Sequence, residues 1–215
     1  MRSFMWQSAM LALCGMIGSA GMAYAATAPV KGDVYTLKTC PVSGKPLGDK
    51  PIIKVYDGRE VRFCCEGCPK KFEANKEKYL SKIDAAVIKQ QQDRYPLKTC
   101  VVSGEKTGDN PVMYVYNNRL LEFCCKDCVK AFKKDPQKYV SKLDAAVIKA
   151  QEDSYAAKTC PVSGEELGKM GDPVKMVVGN RLVELCCPAC KKPFAKSPLK
   201  YLSKLDKAQG KKSDH

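Results

Sequence analysis

The sequence predicts an α+β protein of three tandem small units, each a β-hairpin followed by a short helix. Helical connectors join the units, and an N-terminal signal peptide precedes them. Three observations predict this. Twelve of the thirteen cysteines fall into one four-cysteine pattern written three times: Cys40, Cys64, Cys65 and Cys68, then Cys100, Cys124, Cys125 and Cys128, then Cys160, Cys186, Cys187 and Cys190. The step is 60 residues, stretched to 62 at the last cluster because the third copy carries two extra residues around Lys169–Asp172. Self-similarity at a fixed period marks tandem units. The other two observations are a two-residue turn signal between apolar-rich stretches in each copy, and a capped apolar stripe after each cysteine cluster.

Residues 1–25 read as the signal peptide. Arg2 supplies the positive start, the stretch from Ala9 to Met22 is apolar and rich in small residues, and Ala23-Tyr24-Ala25 offers the cleavage site. Cys14 leaves with this segment. No later apolar run approaches the ~18 residues that a membrane helix needs, so the mature chain is expected to have no transmembrane segment. A periplasmic or secreted location follows. Loss of Arg2 leaves 36 basic residues against 23 acidic ones, a net charge of +13. The charge is spread through every repeat, which with export argues against a nucleic-acid partner and for a solvated basic surface.

The repeats span residues 33–80, 93–140 and 153–206. Connectors occupy 81–92 and 141–152, and a charged tail runs over 207–215. Each unit opens on an Asp that begins a shared phrase (Asp33 to Cys40, Asp93 to Cys100, Asp153 to Cys160), followed by Val-Ser-Gly and a loop punctuated by Gly and Pro. Hairpins follow at Ile52–Tyr56 with Glu60–Cys64, Val112–Tyr116 with Leu120–Cys124, and Val174–Val178 with Leu182–Cys186. The turn pairs Asp57-Gly58, Asn117-Asn118 and Gly179-Asn180 all tolerate the positive φ that such turns demand. Val61 and Phe63 alternate with Glu60 and Arg62, as in a half-buried strand.

A short helix then carries Phe72, Phe132 or Phe194, expected to plug the core against the hairpin. Asn75, Asp135 and Ser197 suit the N-cap of a second helix, with Pro136 and Pro198 at its first position. Tyr79, Leu80, Ile83, Val87 and Ile88 form its apolar stripe. The third repeat runs from Asp206 into the tail with no long helix expected, so this helix reads as a connector.

Units of about 45 residues rarely bury enough apolar surface to fold unaided, so the cysteines are expected to support the fold through metal or disulfides. Cys64 and Cys68 lie four apart at a strand-to-helix junction, where both can face one point, and Cys40 enters from the preceding loop. Three converging thiolates suit Zn(II) or Cu(I), one ion per repeat. Cys65, Cys125 and Cys187 either complete four-coordination or stand free. Ser43 occupies the place where a Cys-x-x-Cys knuckle has its second cysteine and reads as a turn residue.

The phrases Cys40-Pro-Val-Ser-Gly44, Asp57-Gly58, Phe63-Cys64-Cys65-x-x-Cys68-x-x-x-Phe72 and Lys78-Tyr79 resemble the TRASH/YHS metal-binding domains, which are treble-clef-like. Equivalent phrases run from Cys100 to Tyr139 and from Cys160 to Tyr201. The resemblance implies a hairpin followed by a helix, a thiolate metal site, and a part in heavy-metal sensing, trafficking or resistance. It implies ligands at Cys40, Cys64 and Cys68 and their counterparts; the additional Cys65 departs from the pattern.

Two other readings of the thiols stay open. Export and an even cysteine count per unit suit disulfides in an interaction module. Cys65-Glu-Gly-Cys68 and its counterparts are Cys-x-x-Cys pairs at a helix start, as in thiol–disulfide oxidoreductases, although no unit shows the βαβ pattern of a thioredoxin domain. The sole histidine, His215, lies in the tail, and no nucleophile–base pair stands out. The expectation is a non-enzymatic binder of metal ions that meets a metal-trafficking or envelope protein.

Overall fold

The computed structural model describes residues 32–210. The signal-peptide reading of 1–25 and the last five residues of the tail lie outside them. Three two-stranded antiparallel sheets form, one per unit. In the first unit β1 (Ile52–Tyr56) pairs with β2 (Arg59–Phe63), followed by α1 (Gly67–Ala74) and α2 (Lys76–Gln91). The second has β3 (Val112–Tyr116), β4 (Arg119–Phe123), α3 (Lys126–Lys134) and α4 (Pro136–Gln151). The third has β5 (Val174–Val178), β6 (Arg181–Leu185), α5 (Lys191–Lys196) and α6 (Pro198–Ala208).

The turns behave as their residues require. Both central residues of each turn have positive φ: Asp57 53° and Gly58 86°, Asn117 44° and Asn118 72°, Gly179 57° and Asn180 56°. This is the mirror-image turn whose twist matches the strands. Because the turn holds only two residues, Tyr56 pairs directly with Arg59, and each second strand begins and ends one residue earlier than the sequence reading placed it.

Every residue of β2 and β4 is buried, in place of the alternating exposure expected of a half-buried strand. The reason is that the units pack on one another. Leu120 of the second unit joins the core around Phe63 and Phe72, Val177 of the third packs on the core around Phe123 and Phe132, and Val34 of the first packs on the core around Phe194. Arg62 and Arg119 on these strands survive burial through partners. Arg62 donates to Glu60 and to the carbonyls of Ala195 and Lys196 in the third unit. Arg119 is held by Asp33 and Asp144, which outweigh its burial and raise its pKa above the ordinary value.

The long helices do more than connect. Ile83 and Val87 of α2 lie in the first core, and the third unit keeps the counterpart α6, 11 residues against 16, with Leu205 buried. The last residue of α2 also clamps the next hairpin. Gln91 donates from Nε2 to the Asn118 carbonyl and accepts at Oε1 from the Leu120 N–H. Gln151 at the end of α4 does the same to Asn180 and Leu182. Of the three N-cap residues, Asp135 alone accepts a backbone hydrogen bond through its side chain, from Lys138.

Candidate metal centre

The first thiol of each unit is set by a tight turn. Cys40 N–H donates to the Lys45 carbonyl at 2.8 Å, and its own carbonyl accepts from Gly44 N–H at 2.9 Å. Gly44 takes φ 72°, a conformation that costs little only without a Cβ. The same pair of bonds recurs at Cys100 and Cys160. Cys64, Cys124 and Cys186 directly follow the ends of β2, β4 and β6, and Cys68, Cys128 and Cys190 sit at the following helical turns.

These segments bring the sulfurs together. Cys40, Cys64 and Cys68 have all three Sγ atoms within 4.8 Å of one another, as do Cys100, Cys124 and Cys128, and Cys160, Cys186 and Cys190. The Cys64–Cys68, Cys124–Cys128 and Cys186–Cys190 separations are 3.8, 3.6 and 3.7 Å. Two sulfurs bonded tetrahedrally to one ion at about 2.3 Å lie about 3.8 Å apart, so the spacing and the donor chemistry both fit a thiolate-bound metal. Among the described residues all twelve cysteines are free thiols.

Cys65, Cys125 and Cys187 fall outside the mutual spacing of the triads. Cys65 lies 3.4 Å from Cys68, Cys125 3.8 Å from Cys124, and Cys187 3.9 and 3.8 Å from Cys186 and Cys190. Cys65 and Cys125 each neighbour one corner of their triads, and Cys187 lies along the Cys186–Cys190 edge of its own. Cys65 and Cys125 are exposed and Cys187 is half-exposed.

The electrostatics separate the thiols within one triad. Burial pushes Cys40 up, but the backbone N–H groups of Ser43, Cys64 and Val42 and the Ser43 hydroxyl outweigh it and bring it down to about 6. Cys160 falls to about 6 and Cys100 to about 7 by the same balance. Burial, reinforced by the neighbouring thiols, pushes Cys68, Cys128 and Cys190 up to about 12. Each triad thus presents one ready thiolate beside one reluctant thiol.

Ser43 is the turn residue expected, since its Oγ accepts from Lys45 N–H. It also does something the sequence reading missed: its hydroxyl lies 3.2 Å from Cys64 Sγ, with Ser103 3.4 Å from Cys124 and Ser163 3.3 Å from Cys186. A hydroxyl beside a ligand sulfur orients it without ligating. The return of Val-Ser-Gly after the first cysteine of every copy was the available signal. Phe72, Phe132 and Phe194 are fully buried, and Tyr95 and Tyr155 accept from Glu122 and Glu184 N–H beside their clusters. Among the described residues no helix is long and apolar enough to cross a membrane.

Residues 39–82 match the family model of the YHS domain. No curated protein and no solved structure matches the chain. The matched segment contains Cys40, Cys64 and Cys68 together with the hairpin and helix that hold them. The first unit therefore matches a YHS domain, and the second and third units repeat its hairpin, helix and thiol triad.

Proposed function

We propose that the protein is an exported, non-enzymatic carrier that captures a soft or borderline ion, Cu(I) or Zn(II), with one ion in each unit. The observation that carries the reading is the convergence of three sulfurs in all three units. All-sulfur donor sets select soft ions. Within each triad the depressed first thiol (Cys40, Cys100 or Cys160) gives up its proton at low cost, while the raised Cys68, Cys128 or Cys190 gives up its own only in competition with the ion. Three linked sites suit buffering, resistance or delivery to a metal-trafficking or envelope protein, and they raise avidity towards a partner with several sites. A periplasmic or secreted location rests on residues 1–25, and the basic surface suits an anionic envelope.

The test is elemental analysis combined with a free-thiol count on protein taken gently from its native compartment. Three ions per chain are expected. No ion and no free thiol would turn the reading into a disulfide-stapled interaction module, and catalytic turnover of a model disulfide would turn it into an oxidoreductase.

A further inference from the structure

The fourth cysteine of each repeat is left without a part by the triads. Cys65 and Cys125 belong to no hydrophobic core, and Cys187 only borders one. Cys65 and Cys125 are exposed and Cys187 is half-buried, whereas Cys40, Cys100 and Cys160 are each 1% exposed. Yet every one of them keeps its sulfur 3.4–3.9 Å from at least one triad sulfur. A resident tetrahedral ligand would stand about 3.8 Å from all three; these do not. The spacing is instead that of two sulfurs able to bond one ion at the same moment.

We propose that Cys65, Cys125 and Cys187 are exchange thiols, through which a soft ion passes between each triad and an external donor or acceptor. The inference rests on the metal-capture reading and deepens it. In the release direction the exposed thiol loses its proton to water and its sulfur bonds the ion. One triad sulfur then lets go and takes up a proton from water. No electron moves, and neither the ion nor any sulfur changes oxidation state. The ion now sits at the surface, where an incoming thiolate of a carrier displaces the remaining triad sulfurs in turn. Capture runs the same steps in reverse. The return of a fourth sulfur within 3.9 Å of a triad sulfur in all three units, beside Cys68 in the first, Cys124 in the second and both Cys186 and Cys190 in the third, is the structural argument for a purpose beyond local packing.

The test uses the full chain without its leader and a triple variant, Cys65→Ser with Cys125→Ser and Cys187→Ser. Both are loaded with Cu(I) under anaerobic, reducing conditions. Two quantities are read: ions bound per chain, and the stopped-flow rate of Cu(I) transfer to bathocuproine disulfonate. The expected result is three ions in both proteins with transfer slowed roughly tenfold in the variant, within the range that loss of a group flanking a metal site produces. Three ions with an unchanged or faster rate would overturn the exchange role while leaving capture intact. Fewer ions in the variant would overturn it too, by making the fourth sulfur a resident ligand. A wild-type chain that binds no ion would overturn capture itself.

Discussion

The second and third units carry the same motif, but their triads sit differently. Cys160, Cys186 and Cys190 are all buried, whereas in the second unit Cys100 is buried and Cys124 and Cys128 are half-buried. The second site also has a carboxylate at its edge, Glu105, 3.7 Å from Cys124, and its first thiol is depressed to about 7 where the third unit's reaches about 6. Motif and hairpin therefore set which sulfurs meet, while the surrounding loop and neighbours set how open the meeting point is. One chain can hold chemically equivalent sites that retain an ion with different tenacity.

The largest expected effect comes from removing a ligand. Cys128→Ser and Cys190→Ser should each reduce the bound ions from three to two by elemental analysis. The buried Cys190 should also cost the fold more, read as a lower thermal midpoint than that of Cys128→Ser, because its sulfur lies in the third core. Equal midpoints would break the comparison.

Next in size is the order of ion loss. Limiting chelator should strip the second site before the third, followed by mass spectrometry of thiols alkylated as they are freed. Acidification should do so in the same order, because protons compete for the thiolates and Cys124 and Cys128 are half-buried where Cys186 and Cys190 are buried.

A smaller effect concerns the ion-free chain. From an ordinary thiol value of 9.0, Cys40 and Cys160 drop to about 6, so their contribution is present above pH 9 and is lost as pH falls towards 6. Cys68, Cys128 and Cys190 rise to about 12, so theirs is full below pH 9 and is lost as pH climbs from there. Thermal melts in chelator should therefore show declining stability from pH 9 down to 6. A flat profile would remove the cradle around Cys40 from the account.

The smallest effect separates the two units at their helices. Asp135→Ala should cost about 1 kcal/mol by denaturant unfolding, the usual worth of an N-cap bond. Ser197→Ala should cost much less, since its side chain makes no cap bond.

Much of a single unit was legible in the sequence because the signals were local and came three times. Asp57-Gly58, Asn117-Asn118 and Gly179-Asn180 fixed the turns through backbone sterics alone, and Cys64 and Cys68 declared themselves by helical spacing. What the sequence hid was the packing between units. Nothing local says that Arg62 will reach the carbonyls of Ala195 and Lys196, or that Asp33 will accept from Arg119 and from Gly179 N–H. These contacts turn β2 and β4 from half-buried to buried strands. The Gln91 and Gln151 clamps were recoverable in principle, as two glutamines 60 residues apart in equivalent places, but their partners are backbone groups that leave no residue signature. The position of the fourth sulfur was undecidable from spacing, because Cys65 is at once adjacent to Cys64 and at helical distance from Cys68.

The most direct test of the account is X-ray absorption at the metal edge of the loaded protein. A first shell of about three sulfurs at about 2.3 Å is expected, averaged over the sites and preserved in the Cys65, Cys125 and Cys187 triple serine variant. A first shell of oxygen or nitrogen without sulfur would contradict it.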